Sequence, residues 1–89
     1  MSPAQTTLGG AVVFDVHPAA FDHLPPVYVY HHRGTTWALR LDRPELGSGW
    51  RIDQWMPCTG WESDDATIYD SPEEAADALE RRLLRSRAA

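Results

Sequence analysis

The chain has 89 residues, of which 43% are hydrophobic, and it carries a formal net charge of −5 at pH 7. This length predicts one domain, and the negative charge argues against a general nucleic-acid binder because a phosphate backbone would repel most of the surface. The single Cys58 excludes an intramolecular disulfide, and no apolar run approaches the about 18 residues that span a bilayer.

The N-terminal part of the chain predicts one strand between less regular segments. Residues 1–10 are small and polar and predict a flexible N-terminal segment, without the basic and apolar regions of a signal peptide. Residues 11–16 are β-branched and aromatic and predict a strand. Residues 19–26 close on two prolines and predict a loop or a short helical turn, from which we expect Phe21 to plug one end of the core.

Two alternating segments in the middle of the chain predict a β-hairpin. Residues 27–33 alternate Val with Tyr, and residues 35–42 alternate apolar with small or charged side chains, so each predicts a strand. Gly34 lies between them and can adopt the positive φ that a tight turn needs. We therefore expect the two strands to pair directly.

The following part of the chain predicts two further strands separated by an acidic loop. Residues 50–56 predict a strand in which Trp50 and Ile52 share one face. Residues 57–65 contain proline, glycine and acids and predict a loop, in which Trp61 must pack on a neighbour or stand exposed. Residues 66–69 predict a short strand that directs Ile68 toward the core.

Residues 71–87 predict the one helix of the chain. Ser71 is typical of an N-cap, Pro72 suits the first helical position, and Glu74 completes a capping box. Beyond them, Ala76 and Leu79 belong to an apolar stripe at helical spacing that predicts a buried face.

These elements predict an α+β fold and a single small domain. In it, residues 11–70 form an antiparallel meander of four to five strands, and the C-terminal helix of residues 71–87 packs on one sheet face. Successive side chains of a strand point to opposite faces, so one face is covered and the other is left open. The side chains predicted to point inward are Val12, Phe14, Val16, Val27, Val29, Trp37, Leu39, Leu41, Ile52, Met56 and Ile68.

The predicted outward face carries aromatic, imidazole and guanidinium groups together with Asp53. The residues predicted to bind a partner there are Tyr28, Tyr30, His32, Arg40, Arg51, Trp55 and Tyr69. Aromatic and Arg side chains are enriched at interaction hot spots, whereas the alternative is a solvated face whose rings only pair across strands. We therefore predict a non-enzymatic protein-binding module, such as an adaptor, an inhibitor or a homodimer subunit, whose partner is another protein or a second copy.

Two other functions stay open at this point. The same rings could stack the bases of a single-stranded nucleic acid while Arg40 and Arg51 contact phosphates, although the net charge makes nucleic acid an unfavourable partner. A small-ligand or enzyme site could instead lie near Cys58, Trp61 and His31.

No pattern in the chain predicts catalysis, a metal or a cofactor. The four histidines and Cys58 lack the paired spacing of metal ligands, and no glycine loop for phosphate or nucleophile elbow is present. With one cysteine, no signal peptide and no apolar span, we expect a cytoplasmic protein that binds no membrane.

Overall fold

The computed structural model of the protein describes residues 4–18, 24–43, 48–63 and 67–85. They form one six-stranded sheet and one helix, with each strand antiparallel to the next in chain order. The elements are β1 (Ala4–Thr7), β2 (Val13–His17), β3 (Val27–His32), β4 (Thr35–Arg43), β5 (Ser48–Met56), β6 (Gly60–Ser63) and α1 (Pro72–Arg85). The predicted α+β meander with a C-terminal helix is confirmed, but it has six strands rather than four to five.

The strand count differs at both edges of the sheet. β1 pairs with β2 and lies within residues 1–10, which are predicted to be a flexible segment outside the sheet. β6 lies within the predicted loop of residues 57–65, because Trp61 pairs with Trp55 across a tight hairpin. Of the predicted strand at residues 66–69, the described part contributes only a bridge in which Trp50 and Tyr69 exchange two backbone hydrogen bonds of 2.8 Å.

The helix begins where its capping residues predict. The Ser71 hydroxyl accepts a hydrogen bond from the Glu74 N–H at 3.1 Å, which satisfies one of the free donors of the first turn. The Glu74 carboxylate reaches back to the N–H of Asp70 at 3.2 Å, one residue earlier than in the usual capping box. The buried side of α1 consists of Ala75, Ala76 and Leu79, and it packs on β4 and β5.

The hairpin between β3 and β4 turns at the predicted position. Arg33 and Gly34 both have positive φ, at 50° and 83°, and the flanking residues His32 and Thr35 are paired. Two consecutive positive φ values characterise the two-residue turn whose twist matches that of paired strands. The turn therefore sets the register of the central hairpin.

The core lies between α1 and the sheet, and its aromatic part differs from the prediction. The register pairs Tyr28 with Leu39 and Tyr30 with Trp37, and directly paired residues share a face. Both tyrosines consequently face the helix side, where their rings lie 6.4 and 5.9 Å from the ring of Phe14. The buried cluster itself comprises Val12, Phe14, Trp37, Leu39, Trp50, Ile52, Ala75, Ala76 and Leu79.

The predicted parity of β3 is therefore wrong. Val27 and Val29 were expected inward, but they lie on the face opposite α1, since Val29 pairs with Ala38 and Asp15. Val and Tyr both favour strands, so their alternation does not state which set faces the helix. In the structure the large tyrosine rings, rather than the valines, fill the space on the helix side. The position predicted for Phe21 lies outside the described residues.

The predicted burial is wrong for two further side chains. Ile68 is 47% exposed, while its neighbour Tyr69 packs against the core, so the short segment before α1 has the reverse of the predicted parity. Met56, the last residue of β5, shares the face of Ile52 as predicted, but it is 37% exposed rather than buried. The helix covers only the apolar side chains that lie alongside it.

Candidate binding surface on the open sheet face

The sheet face opposite α1, called the open face below, is identified from the strand register. Val29, Ala38, Asp53 and Ser63 are paired in sequence across β3 to β6 and form one row of this face. No helix covers it within the described ranges, where α1 is the one helix and packs on the other side.

The structure divides the seven residues predicted to bind a partner. Arg40, Arg51 and Trp55 lie on the open face, in strands β4 and β5. The remaining four lie on the helix side, where they belong to the core or its margin, and these are Tyr28, Tyr30, His32 and Tyr69. The structure therefore does not bring the seven residues together on one face.

A shallow depression of about 460 Å³ lies on the open face. Val27 and Val29 form an apolar part of it, and the small buried Ala38 lies in the same row as Val29. Longer side chains surround this part, and the full lining consists of His17, Val27, Val29, His31, Thr36, Arg40 and Trp61. Short side chains in the middle of a face bordered by long ones are the physical reason for the depression.

An ion-pair network lies beside the depression. Asp53 is 1% exposed, and its carboxylate receives Arg40 Nη1 at 3.2 Å and Arg51 Nε at 3.2 Å. The Ser63 hydroxyl donates to the same carboxylate at 3.4 Å, and Arg51 Nη1 donates to Asp42 at 3.4 Å. A buried carboxylate is stable only when it is paired and hydrogen-bonded, and two guanidinium groups meet that requirement here.

The network fixes the direction of Arg40. Among the described residues, only Nη1 of its guanidinium has a hydrogen-bond partner, and the side chain is 35% exposed. Arg40 also lines the depression. The buried Asp53 therefore holds one end of a guanidinium whose other donors meet no hydrogen-bond partner among the described residues.

His31 is held at the opposite side of the depression. Its Nδ1 lies 3.1 Å from the Thr36 hydroxyl, and its Nε2 lies 4.0 Å from a carboxylate oxygen of Asp15. Gln5 in β1 donates to that carboxylate at 3.0 Å. Groups from the two strands that flank β3, Thr36 of β4 and Asp15 of β2, thus lie beside the two ring nitrogens.

Two tryptophans extend the open face toward the β5–β6 turn. The rings of Trp55 and Trp61 meet edge to face with centroids 5.3 Å apart, and Trp55 is 46% exposed. Such a cross-strand aromatic pair stabilises a hairpin and leaves a large ring surface in contact with water. The sequence predicts a loop at Trp61, although two tryptophans that flank a short Met-Pro-Cys-Thr-Gly stretch are a signal for this pairing.

The geometry also bears on the nucleic-acid, small-ligand and metal sites considered from the sequence. Base stacking on the open face would lose Tyr28 and Tyr30, because both rings face the helix. Cys58 is exposed in the β5–β6 turn and is not among the described residues that line the depression. In the described part of the chain, no three His, Cys, Asp or Glu side chains come together as metal ligands.

Comparisons with known proteins add no relative. No family model matches the sequence, and no curated protein or solved structure shows significant similarity to it. Among the residues that the structure describes, no helix has the length and apolar character needed to cross a membrane.

Proposed function

We propose that the protein is a non-enzymatic protein-binding module and that its open face is the binding surface. The observation that carries the proposal is the combination on one face of an apolar depression, an exposed tryptophan pair and guanidinium groups fixed by a buried carboxylate. Trp and Arg are enriched among the residues that dominate binding energies.

Preorganisation supports this use of the face. Arg51 and Arg40 share Asp53, and Trp55 is held against Trp61, so these side chains lose little rotamer freedom when a partner binds. Long side chains that are free in solution would each cost about 0.5–1.5 kcal/mol to immobilise. A surface already ordered in this way favours tight association for its area.

Affinity capture from an extract of the native host tests the proposal. Trp55→Ala removes a half-exposed ring of the open face, and Leu84→Ala is the matched control because Leu84 is a 38% exposed apolar side chain on α1. We expect Trp55→Ala to lose proteins that the wild-type chain and Leu84→Ala both capture. Identical captured proteins for all three chains would refute binding through the open face.

Solution mass distinguishes the two kinds of partner. If the partner is a second copy, light scattering should give twice the monomer mass for the wild-type chain and for Leu84→Ala, and a lower mass for Trp55→Ala at the same concentration. If the partner is another protein, the purified chain should be a monomer in all three cases, and only the capture experiment should respond.

A further inference from the structure

The depression on the open face differs in charge from the chain as a whole. The chain has 13 Asp and Glu against 8 Arg, yet no carboxylate is among the described residues that line the depression. Asp15, which is paired with Val29, and Asp53, which contacts Arg40, lie beside it. Its polar lining consists of Arg40, two histidines and the Thr36 hydroxyl. Arg40 can only donate hydrogen bonds, whereas the imidazoles and the hydroxyl can donate or accept them. Arg40 is therefore the group that selects an acceptor, and its charge favours an anionic one.

The geometry of Arg40 specifies which anion fits. Its Nη1 is occupied by the buried Asp53 at 3.2 Å, and its remaining donors form one edge of a planar fork. A carboxylate accepts two parallel hydrogen bonds from such an edge, which a single neutral carbonyl cannot do. The site therefore discriminates a carboxylate from an amide.

The apolar part of the depression specifies what accompanies the carboxylate. Val27 and Val29 lie beside Arg40 in the same depression, and the ring of Trp61 lines it as well. The depression, of about 460 Å³, is open to solvent and mainly apolar, with a few polar groups at its border, so it suits a compact apolar group that binds on the surface. The ligand must therefore carry an apolar group within a few ångströms of its carboxylate.

We propose that the depression binds the C-terminal residue of a partner polypeptide, when that residue is a bulky apolar one. Its carboxylate pairs with the free edge of Arg40, and its side chain packs on Val27 and Val29 beside Trp61. Within a polypeptide, only the C-terminal residue joins a carboxylate and an apolar side chain at one Cα, whereas internal Asp and Glu carry the charge without the apolar group. This inference rests on the proposed protein-binding function and names the part of the partner that is recognised.

The test is a titration of the full chain, observed by amide chemical shifts, with two probe peptides. Both are acetylated four-residue peptides of glycine and serine that end in leucine, one with a free carboxylate and one with a carboxamide. We expect the acid to shift the signals of Val29, Thr36 and Trp61 and to bind at least about tenfold more tightly than the carboxamide, the gain of a charge-assisted pair. Equal affinities, or shifts confined to other parts of the chain, would overturn the inference.

Protein variants provide the second arm of the test. Arg40→Lys keeps a positive charge for Asp53 but removes the fork, so it should weaken the acid peptide severalfold and leave the carboxamide unchanged. Thr36→Val should weaken binding without touching the Arg40 and Asp53 pair, and Leu84→Ala should bind both peptides as the wild-type chain does. An Arg40→Lys chain that binds the acid peptide with wild-type affinity would contradict the assigned contact.

Acetyl-leucine, a small carboxylate, is the third probe. The peptide acid should bind more tightly than acetyl-leucine, because a polypeptide also contacts the face outside the depression. Equal affinities would make the depression a small-carboxylate site and overturn the assignment to a partner's C-terminus. If neither acid binds but Trp55→Ala still loses captured proteins, this inference fails while the proposed function stands. If Trp55→Ala captures all proteins, the proposed function fails by its own test.

Discussion

Replacing Asp53 by Asn isolates the charge of the buried carboxylate without leaving a cavity. Asp53 is 1% exposed and has contacts with two guanidinium groups and one hydroxyl, at 3.2, 3.2 and 3.4 Å. The amide keeps the volume, but its NH2 group would face donors, and both guanidinium groups would lose their buried counterion. Breaking a buried ion pair from one side costs about 3–5 kcal/mol, against about 0–1 kcal/mol for an exposed pair.

The exposure of the partners decides where in that range Asp53→Asn falls. The side chains of Arg40 and Arg51 are 35% and 30% exposed, so water can partly rehydrate them after the carboxylate is removed. We therefore expect the lower end, about 3 kcal/mol. At about 4–8 °C per kcal/mol for a domain of this size, the melting temperature should fall by about 12–24 °C.

Urea denaturation measures the effect directly, with Asp42→Asn as the matched control. Asp42 also contacts Arg51, at 3.4 Å, but its side chain is 31% exposed, so its loss should cost less than about 1 kcal/mol. The slope of unfolding free energy against urea should be unchanged in both variants. The reasoning is refuted if the unfolding free energy of Asp53→Asn lies within about 0.5 kcal/mol of the wild-type value, or is no lower than that of Asp42→Asn. Burial would then not be what makes the ion pairs of Asp53 important.

Three further predictions concern the helix and the core. Leu79→Ala should lower the unfolding free energy by about 2–5 kcal/mol, because this side chain of α1 is fully buried against the sheet. Leu84→Ala should change the unfolding free energy by less than about 0.5 kcal/mol in the same urea assay, and equal effects would contradict the docked face of the helix. Ser71→Ala should cost about 1 kcal/mol through loss of the N-cap bond and Ser71→Gly only a few tenths, and a harmless alanine would show that the bond is not made in solution. Partial burial, and secondly the nearby Glu73 carboxylate, raise the pKa of Tyr28 above 10.0, so the unfolded chain releases this proton at lower pH than the folded chain. The contribution of Tyr28 to stability should be complete below about pH 10 and fall as the pH rises through the folded pKa, and this fall should be absent in Tyr28→Phe; identical alkaline slopes for both chains would contradict the raised pKa.

The open face shows where the alternation of side chains along a strand predicts which face each one occupies, and where it does not. Alternation correctly separated Arg40, Arg51 and Trp55 from Leu39 and Ile52 in the two central strands, because charged and apolar side chains there differ strongly in the cost of burial. In β3 both alternating sets are apolar or aromatic, so hydrophobicity alone does not state which set faces the helix. The prediction placed the valines inward, and the open face consequently differs from the predicted one in its aliphatic part.

The depression itself was outside the reach of sequence reasoning. It forms because Val29 and Ala38 are paired across β3 and β4 and because Trp61, in an unpredicted strand, joins its lining. The burial of Asp53 likewise depends on its lying between Arg40 and Arg51, which only the register of β4 and β5 brings to one carboxylate. These are relations between residues distant in the chain.

The sequence by itself determined the features that depend on interactions within a few residues. The helix, its Ser71 N-cap, its apolar stripe and the turn at Gly34 follow from local hydrogen bonds and backbone preferences, and all four are present in the structure. Only the tertiary structure decided which side of β3 faces α1 and what covers each sheet face. The reason is that a strand has no preferred side until its neighbours and a covering helix supply one, so the choice belongs to the packed chain as a whole.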